Sequence, residues 1–130
     1  MRRYVIFLLL MIGASASAID VDRWVQVKGG SWDPKPVALA ELETALKPAL
    51  ALATRNRGRV PGWREYTFQY QGRKTLLGRQ FVYVNAFCSN ENRDLAQDWV
   101  TVLDGGACYF SAKYDPVTKR IYDLDVNGVA

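Results

Sequence analysis

Arg79-Gln80-Phe81-Val82-Tyr83-Val84-Asn85-Ala86-Phe87-Cys88 (RQFVYVNAFC) is the stretch that decides how this chain folds. Its β-branched and aromatic residues favour an extended backbone. Apolar side chains occupy both its odd and its even positions, which suits a central strand covered by a helix on one side and by something else on the other. Its last residue fixes a partner. Cys88 and Cys108 are the only cysteines, and in an oxidising compartment an even count implies a bridge. A bridge holds the two Cα atoms within about 7 Å, so the end of strand 81–88 meets the start of the apolar run 107–114 and the two lie antiparallel. Residues 89–106 then form an excursion off the sheet, with Trp99 to Leu103 packed at an edge or end. Closing a loop of about twenty residues contributes on the order of 3 kcal/mol by restricting the unfolded chain. A nucleophilic thiolate would need a base, and the chain has no histidine.

Working outward, Tyr66, Phe68 and Tyr70 alternate with Glu65, Thr67, Gln69 and Gln71, the pattern of a half-buried strand with the polar positions toward solvent. Gly72-Arg73-Lys74 reads as the turn that follows. Asp115-Pro116-Val117-Thr118-Lys119 is a second turn, and Tyr122, Leu124 and Val126 alternate with Asp123, Asp125 and Asn127 in a last strand. Toward the N-terminus, Leu39, Leu42, Leu46, Leu50 and Ala53 recur at spacings of three or four and predict an amphipathic helix to about residue 55. Asp33 is its expected cap, with Pro34 or Pro36 in the first turn. Pro48 lacks the donor for the Thr44 carbonyl, which predicts a bend there. Arg55, Arg57, Gly58 and Pro61 form the stop signal. Arg23 to Lys28 reads as a short extended segment ahead of Gly29-Gly30. The sum is an α+β chain: one Pro-bent helix on a four- to five-stranded antiparallel meander.

Met1-Arg2-Arg3, the apolar run Tyr4 to Gly13 and the Ala16-Ser17-Ala18 site read as a secretory signal peptide over residues 1–18, cleaved after Ala18. The run is too short for a permanent membrane span, and no later segment approaches the roughly twenty apolar residues such a span needs. The expected product is residues 19–130, a single globular domain, soluble and periplasmic or secreted. It loses Arg2 and Arg3 from seventeen basic residues, so fifteen face thirteen acidic ones. That near-balance is no nucleic-acid signature. The basic residues nonetheless cluster, since Arg55, Arg57, Arg59, Arg64, Arg73, Lys74 and Arg79 face Glu65 alone between residues 55 and 79. This is either a basic face for an anionic partner or a set of charges that neighbouring strands neutralise.

A helix followed by an antiparallel meander resembles the cystatin-like architecture in topology. FQYQG (68–72), VNAFC (84–88), DGGACYF (104–110), KYDP (113–116) and VNGVA (126–130) also resemble a set of small exported bacterial proteins without an established activity. Cystatins inhibit cysteine proteases through an N-terminal glycine, a Gln-x-Val-x-Gly hairpin and a Pro-Trp loop. Here Gly29 and Gly30 precede the helix, Gln69-Tyr70-Gln71-Gly72 is one residue short of the hairpin motif and lacks its valine, and no Pro-Trp occurs. The resemblance therefore implies the fold and not the inhibition. Gly105-Gly106-Ala107-Cys108-Tyr109 and Tyr114 to Arg120 are similar, each with one departure, to the Ser-Gly-x-x-Tyr and Tyr-x-x-x-Thr-Lys-Gly motifs of bacterial lysozyme inhibitors.

The candidate partner-binding residues are accordingly Asp104, Gly105, Gly106, Tyr109, Tyr114 and Lys119. Asp104-Gly105-Gly106 adds backbone amides that a ligand can approach closely. No zinc spacing, phosphate loop or dinucleotide motif occurs, and no catalytic group, metal or cofactor is expected. Asp123 and Asp125 read as solvent-facing residues of the last strand. These readings favour a non-enzymatic exported binding module, an inhibitor of a secreted or envelope hydrolase being its sharpest form. The alternatives are a structural or assembly accessory of the envelope, recognisable by edge-strand dimers, and a small enzyme on a cone-shaped α+β scaffold. The partner is an unknown protein or cell-wall ligand, not nucleic acid.

Overall fold

The computed structural model describes residues 19–129. The signal peptide read at residues 1–18 lies outside the described residues. The chain order is β1 (Trp24–Gln26), α1 (Pro36–Thr54), β2 (Thr67–Lys74), β3 (Gln80–Phe87), β4 (Tyr109–Asp115) and β5 (Arg120–Val126). One helix packs on a five-stranded sheet of order β1-β2-β3-β4-β5. β3 is its central strand, as its two apolar faces require.

The sheet is mixed rather than wholly antiparallel. β1 runs parallel to β2, with Trp24 opposite Phe68, because α1 carries the chain back over the sheet between them. The remaining pairs are antiparallel. The Cys88 and Cys108 sulfurs are at bonding distance with Cα atoms 5.0 Å apart, and Phe87 stands opposite Tyr109. The covalent link and the predicted strand register agree. Residues 106–108 form a 3-10 turn, so the strand begins at Tyr109 rather than Ala107.

α1 buries Leu39, Leu42, Leu46, Leu50 and Thr54. The expected Ala53 is exposed; Thr54 completes the stripe, its hydroxyl donating to the Leu50 carbonyl at 2.7 Å. A single helix runs through Pro48, which is exposed on the side away from the sheet. The residue before the first turn is Lys35, with Pro36 as the first helical residue, and no side chain caps it. Asp33 instead accepts a hydrogen bond from Gln26 Nε2 at 2.9 Å.

Gly72-Arg73-Lys74 is not a turn. β2 continues to Lys74, and the chain reverses at residues 75–78, where Gly78 takes φ +82°. Gly72 serves close packing instead, since a Cβ there would come within 2.1 Å of the Trp32 carbonyl, which bridges to it from the segment before the helix. β5 also departs from its simple alternation. Ser111 pairs with Asp125 but Lys113 pairs with Tyr122, so β5 holds one extra residue in a bulge around Asp123, which has φ +49°. The bulge shifts the phase, turning Ile121 toward the core and leaving Tyr122 exposed.

The two faces of the sheet are covered differently. Under α1, Trp24, Phe68, Val82, Val84, Ala86, Phe110, Ala112 and Tyr114 form the apolar core with the helix leucines. Trp24 stacks on Phe68 with ring centroids 4.3 Å apart, and Phe110 meets Tyr66 edge-on. On the other face lies the segment 89–104, which covers β2 and β3 rather than packing at an edge or end. The reason is Gln69. Read as solvent-facing, it is 0% exposed: its Nε2 donates to the Leu95 and Asp98 carbonyls at 2.9 and 2.7 Å, and its Oε1 accepts from Val100 N at 2.9 Å and Asn85 Nδ2 at 3.1 Å. Asn85 Nδ2 also reaches the Val100 carbonyl at 2.8 Å. Trp99 then packs edge-on against Tyr83, with the Arg73 guanidinium 4.2 Å from the Tyr83 ring.

Candidate functional site

The exit of α1 and the disulfide meet at one end of the sheet, and a cleft of about 690 Å³ opens between them. One wall is the loop 57–61 with Glu65; the other is Gly105 to Cys108 with Cys88, and Val129 closes the end. Each wall is tied down by specific bonds. Arg57 Nη1 and Nη2 donate to the Asn127 and Val126 carbonyls at 2.8 and 3.3 Å, which fastens the helix exit to the end of β5. Asn127 Nδ2 donates to the Asp104 carbonyl at 3.0 Å and Gly106 N donates to the Gly128 carbonyl at 3.0 Å. Cys88 N donates to the Cys108 carbonyl at 3.0 Å beside the disulfide. The Tyr66 hydroxyl, buried beneath, donates to the Ala107 carbonyl. Burial and then the Glu65 charge push the Tyr66 hydroxyl up to about 12, so it stays protonated as a donor at ordinary pH.

The glycines are required here by shape. Gly105 has φ +94° and Gly106 φ +63°, the left-handed region that other residues seldom adopt. A Cβ on Gly105 would also come within 2.4 Å of the Tyr109 ring. Tyr109 is therefore the support beneath the Gly105 backbone, and only a glycine lets the chain cross it so closely.

The ionisable groups of the cleft, the bridged cysteines aside, are Arg57, Arg59 and Glu65. Glu65 Oε2 accepts from Gly62 N at 2.5 Å and closes its own short turn. Arg59 is exposed and forms no ion pair among the described residues. An arginine guanidinium stays charged at any ordinary pH and presents a fork of donors suited to a carboxylate or phosphate. The arrangement can hold an anionic group over an apolar floor of Val60, Pro61, Ala107 and the disulfide.

The six residues read as partner-binding do not form one surface. Asp104, Gly105, Gly106 and Tyr109 belong to the cleft end. Tyr114 and Lys119 lie at the other end of the sheet, the length of β4 away. Tyr114 is 0% exposed in the core under α1, because even-numbered residues of β4 face the helix. Burial, then the neighbouring Glu41, pushes its hydroxyl up to about 12. Lys119 pairs with Glu41 at 3.3 Å. The basic segment is likewise divided, with Arg57 and Arg59 at the cleft and Lys74 and Arg79 at the opposite end. Sequence reasoning took Arg57, Gly58 and Pro61 as a helix stop and so missed one wall of the cleft. The available signal was the Arg-x-Arg-Gly-Arg run (55–59) leaving the helix. Among the described residues no group of three His, Cys, Asp or Glu side chains is placed to hold a metal ion. Comparison of the chain with protein-family models, with curated proteins and with solved structures finds no match.

Proposed function

We propose that this chain is a non-enzymatic binding module acting outside the cytoplasm, which receives an acidic segment of a protein partner in the cleft between loop 57–61 and Gly105 to Cys108. The observation that carries the reading is the fixed Gly105 to Cys108 wall: two left-handed glycines over Tyr109, a disulfide behind them, and Arg59 lining the same cleft without an ion pair among the described residues. A surface already ordered before binding loses little conformational freedom when a partner arrives. The lining set of two permanent cations and one hydrogen-bonded carboxylate suits holding an anion better than moving a proton. A secreted or envelope hydrolase, blocked by occupying its cleft or by holding one of its loops, is the most specific partner class that fits.

The test is affinity capture from envelope and secreted extracts with the wild-type chain, Arg59→Glu and Arg55→Glu side by side. Lysozyme and cysteine-protease inhibition assays run on the same three proteins. A protein retained by the wild type and by Arg55→Glu but lost with Arg59→Glu supports the cleft as the site. Equal retention by all three, or no retention with no inhibition, overturns it. An edge-strand dimer is less favoured by the structure, since β1 is three residues long and β5 carries a bulge, two devices that blunt a free edge.

A further inference from the structure

The end of the sheet opposite the cleft carries a feature that folding does not explain. At the β2–β3 reversal, Leu76 and Leu77 are 106% and 98% exposed. Two adjacent leucines with no packing partner occupy a turn that polar residues would fill as well. The turn itself is well made: Thr75 N donates to the Arg79 carbonyl at 2.9 Å, Gly78 N to the Thr75 carbonyl at 2.9 Å, and Arg79 N to the Thr75 hydroxyl at 3.1 Å. The leucines are thus held out on a closed, hydrogen-bonded tip.

The β4–β5 reversal lies beside it. β3 and β4 are paired neighbours with Val82 opposite Tyr114, and Arg79 bonds Asp115 at the base of the second turn. That turn exposes Val117 at 80%. Around the three apolar side chains stand Lys74, Arg79, Lys119 and Arg120. Arg79 and Lys119 are paired with Asp115 and Glu41, whereas Lys74 and Arg120 form no ion pair among the described residues. The surroundings of the tips are net positive.

We infer that the two hairpin tips together form a docking surface for an anionic lipid bilayer, with Leu76, Leu77 and Val117 entering the headgroup region and Lys74 and Arg120 meeting the phosphates. Apolar side chains ringed by cations match the two layers that such a bilayer presents. The bonds among Thr75, Gly78 and Arg79 close the base of the tip, and the backbone groups of Leu76 and Leu77 stay at the depth of the hydrated headgroups, where water and lipid oxygens can meet them. The convexity selects lipid over protein. A stable protein interface needs roughly 800 Å² from each partner, more than two narrow turn tips offer, whereas a fluid bilayer closes around a protrusion of any shape. Docked in this way, the cleft at the far end of the sheet would face away from the bilayer.

The apolar run at residues 4–13 could bind lipid as well, so the test must read the tips individually. Isotope-labelled full-length chain is mixed with small bicelles of phosphatidylcholine and phosphatidylglycerol in about equal parts, doped with a nitroxide-bearing lipid, and methyl signals are followed by NMR. The expected result is selective broadening of the Leu76, Leu77 and Val117 methyls, while those of Leu103 and Val129, exposed elsewhere, stay sharp. The Leu76→Ser/Leu77→Ser variant, harmless to the fold because neither side chain packs, is expected to abolish the Val117 broadening. Lys74→Glu/Arg120→Glu is expected to weaken the tip effect at least about tenfold at low salt. Broadening confined to residues 4–13, equal broadening with phosphatidylcholine alone, or tip signals that broaden with protein concentration in the absence of lipid would each overturn the proposal. The last would mean that the tips meet a second copy of the chain.

Discussion

The two faces of this sheet are held by different physics. Beneath α1, interlocking aromatic and aliphatic side chains exclude water, and the stabilisation scales with buried area. Beneath the segment 89–104, a strand-free stretch of backbone is held by directional bonds to Gln69 and Asn85, whose amides find partners at almost every position. The difference teaches that an apparently irregular segment can be as precisely placed as a helix when one buried amide answers its backbone groups. It also predicts that the two layers fail in different ways. A lost side chain on the helix face should destabilise the whole molecule, and one on the other face should release a single layer.

The largest effect is expected at Phe68, which stacks on Trp24 and lies 4.9 Å from the Trp63 ring. Phe68→Ala should cost about 3–5 kcal/mol, seen as a lower chemical-denaturation midpoint with unchanged cooperativity. A broadened, multi-step transition would show that the helix face is not one cooperative unit. Next comes the covalent tie. Replacing Cys88 and Cys108 together with alanine should cost about 3 kcal/mol, and amides of the segment 89–107 should exchange faster than those of β2. Equal acceleration everywhere would mean that the bridge supports both layers alike. Gln69→Leu should cost about 2 kcal/mol, because Val100 N and the Leu95 and Asp98 carbonyls lose a buried partner but regain water once the layer lifts. Hydrogen exchange should then show the Val100 amide exposed while the Val84 amide stays protected. Loss of protection at both positions would erase the distinction between the faces.

Which of these layers could be read in the sequence follows from how each is encoded. The helix face was legible because Leu39, Leu42, Leu46 and Leu50 carry a period that only one structure satisfies, and the β3–β4 register because a covalent bond between Cys88 and Cys108 leaves one pairing. The other layer has no period. Gln69 and Gln71 alternate with aromatic residues and so read as solvent-facing; only the return of residues 95–100 over Gln69 and the passage of Val27 and Lys28 over Gln71 make them interior. Gly72 reads as a turn because glycine permits one, while its cause is the close passage of the Trp32 carbonyl from forty residues away. The parallel pairing of β1 follows from where α1 returns the chain, which no local pattern records. For the candidate cleft, Gly105 and Gly106 announce themselves by type. The Arg57 and Arg59 wall does not, since residues that end a helix also line a cleft only when the fold brings a second loop opposite them.

The smallest expected effect sharpens the comparison at the hairpin end, where Asp115 belongs to the face away from α1. Its burial raises its pKa, but hydrogen bonds from Val117 N at 2.8 Å and Thr118 N at 3.2 Å, together with the Arg79 guanidinium, outweigh that and hold the carboxyl below its ordinary 3.8. A folded-state pKa below the unfolded value contributes stability that is present above about pH 4 and is lost as pH falls through the lowered value. Acidification should therefore loosen the β4–β5 turn first, read as faster exchange of the Val117 and Thr118 amides below about pH 4. The α1-side core is built from apolar and phenolic side chains, with Glu41 and Glu43 only at its border beside the Tyr114 hydroxyl and the Trp63 indole, and it should stay protected over the same range. Asp115→Asn keeps an oxygen for the two amides but removes the charge. In that variant the Arg79 contact weakens at every pH and the acid dependence of the turn disappears. An acid transition of undiminished size in Asp115→Asn would assign it to another carboxylate, and one that reached the Val82 and Val84 amides at the same pH would show that the two faces are coupled through this turn.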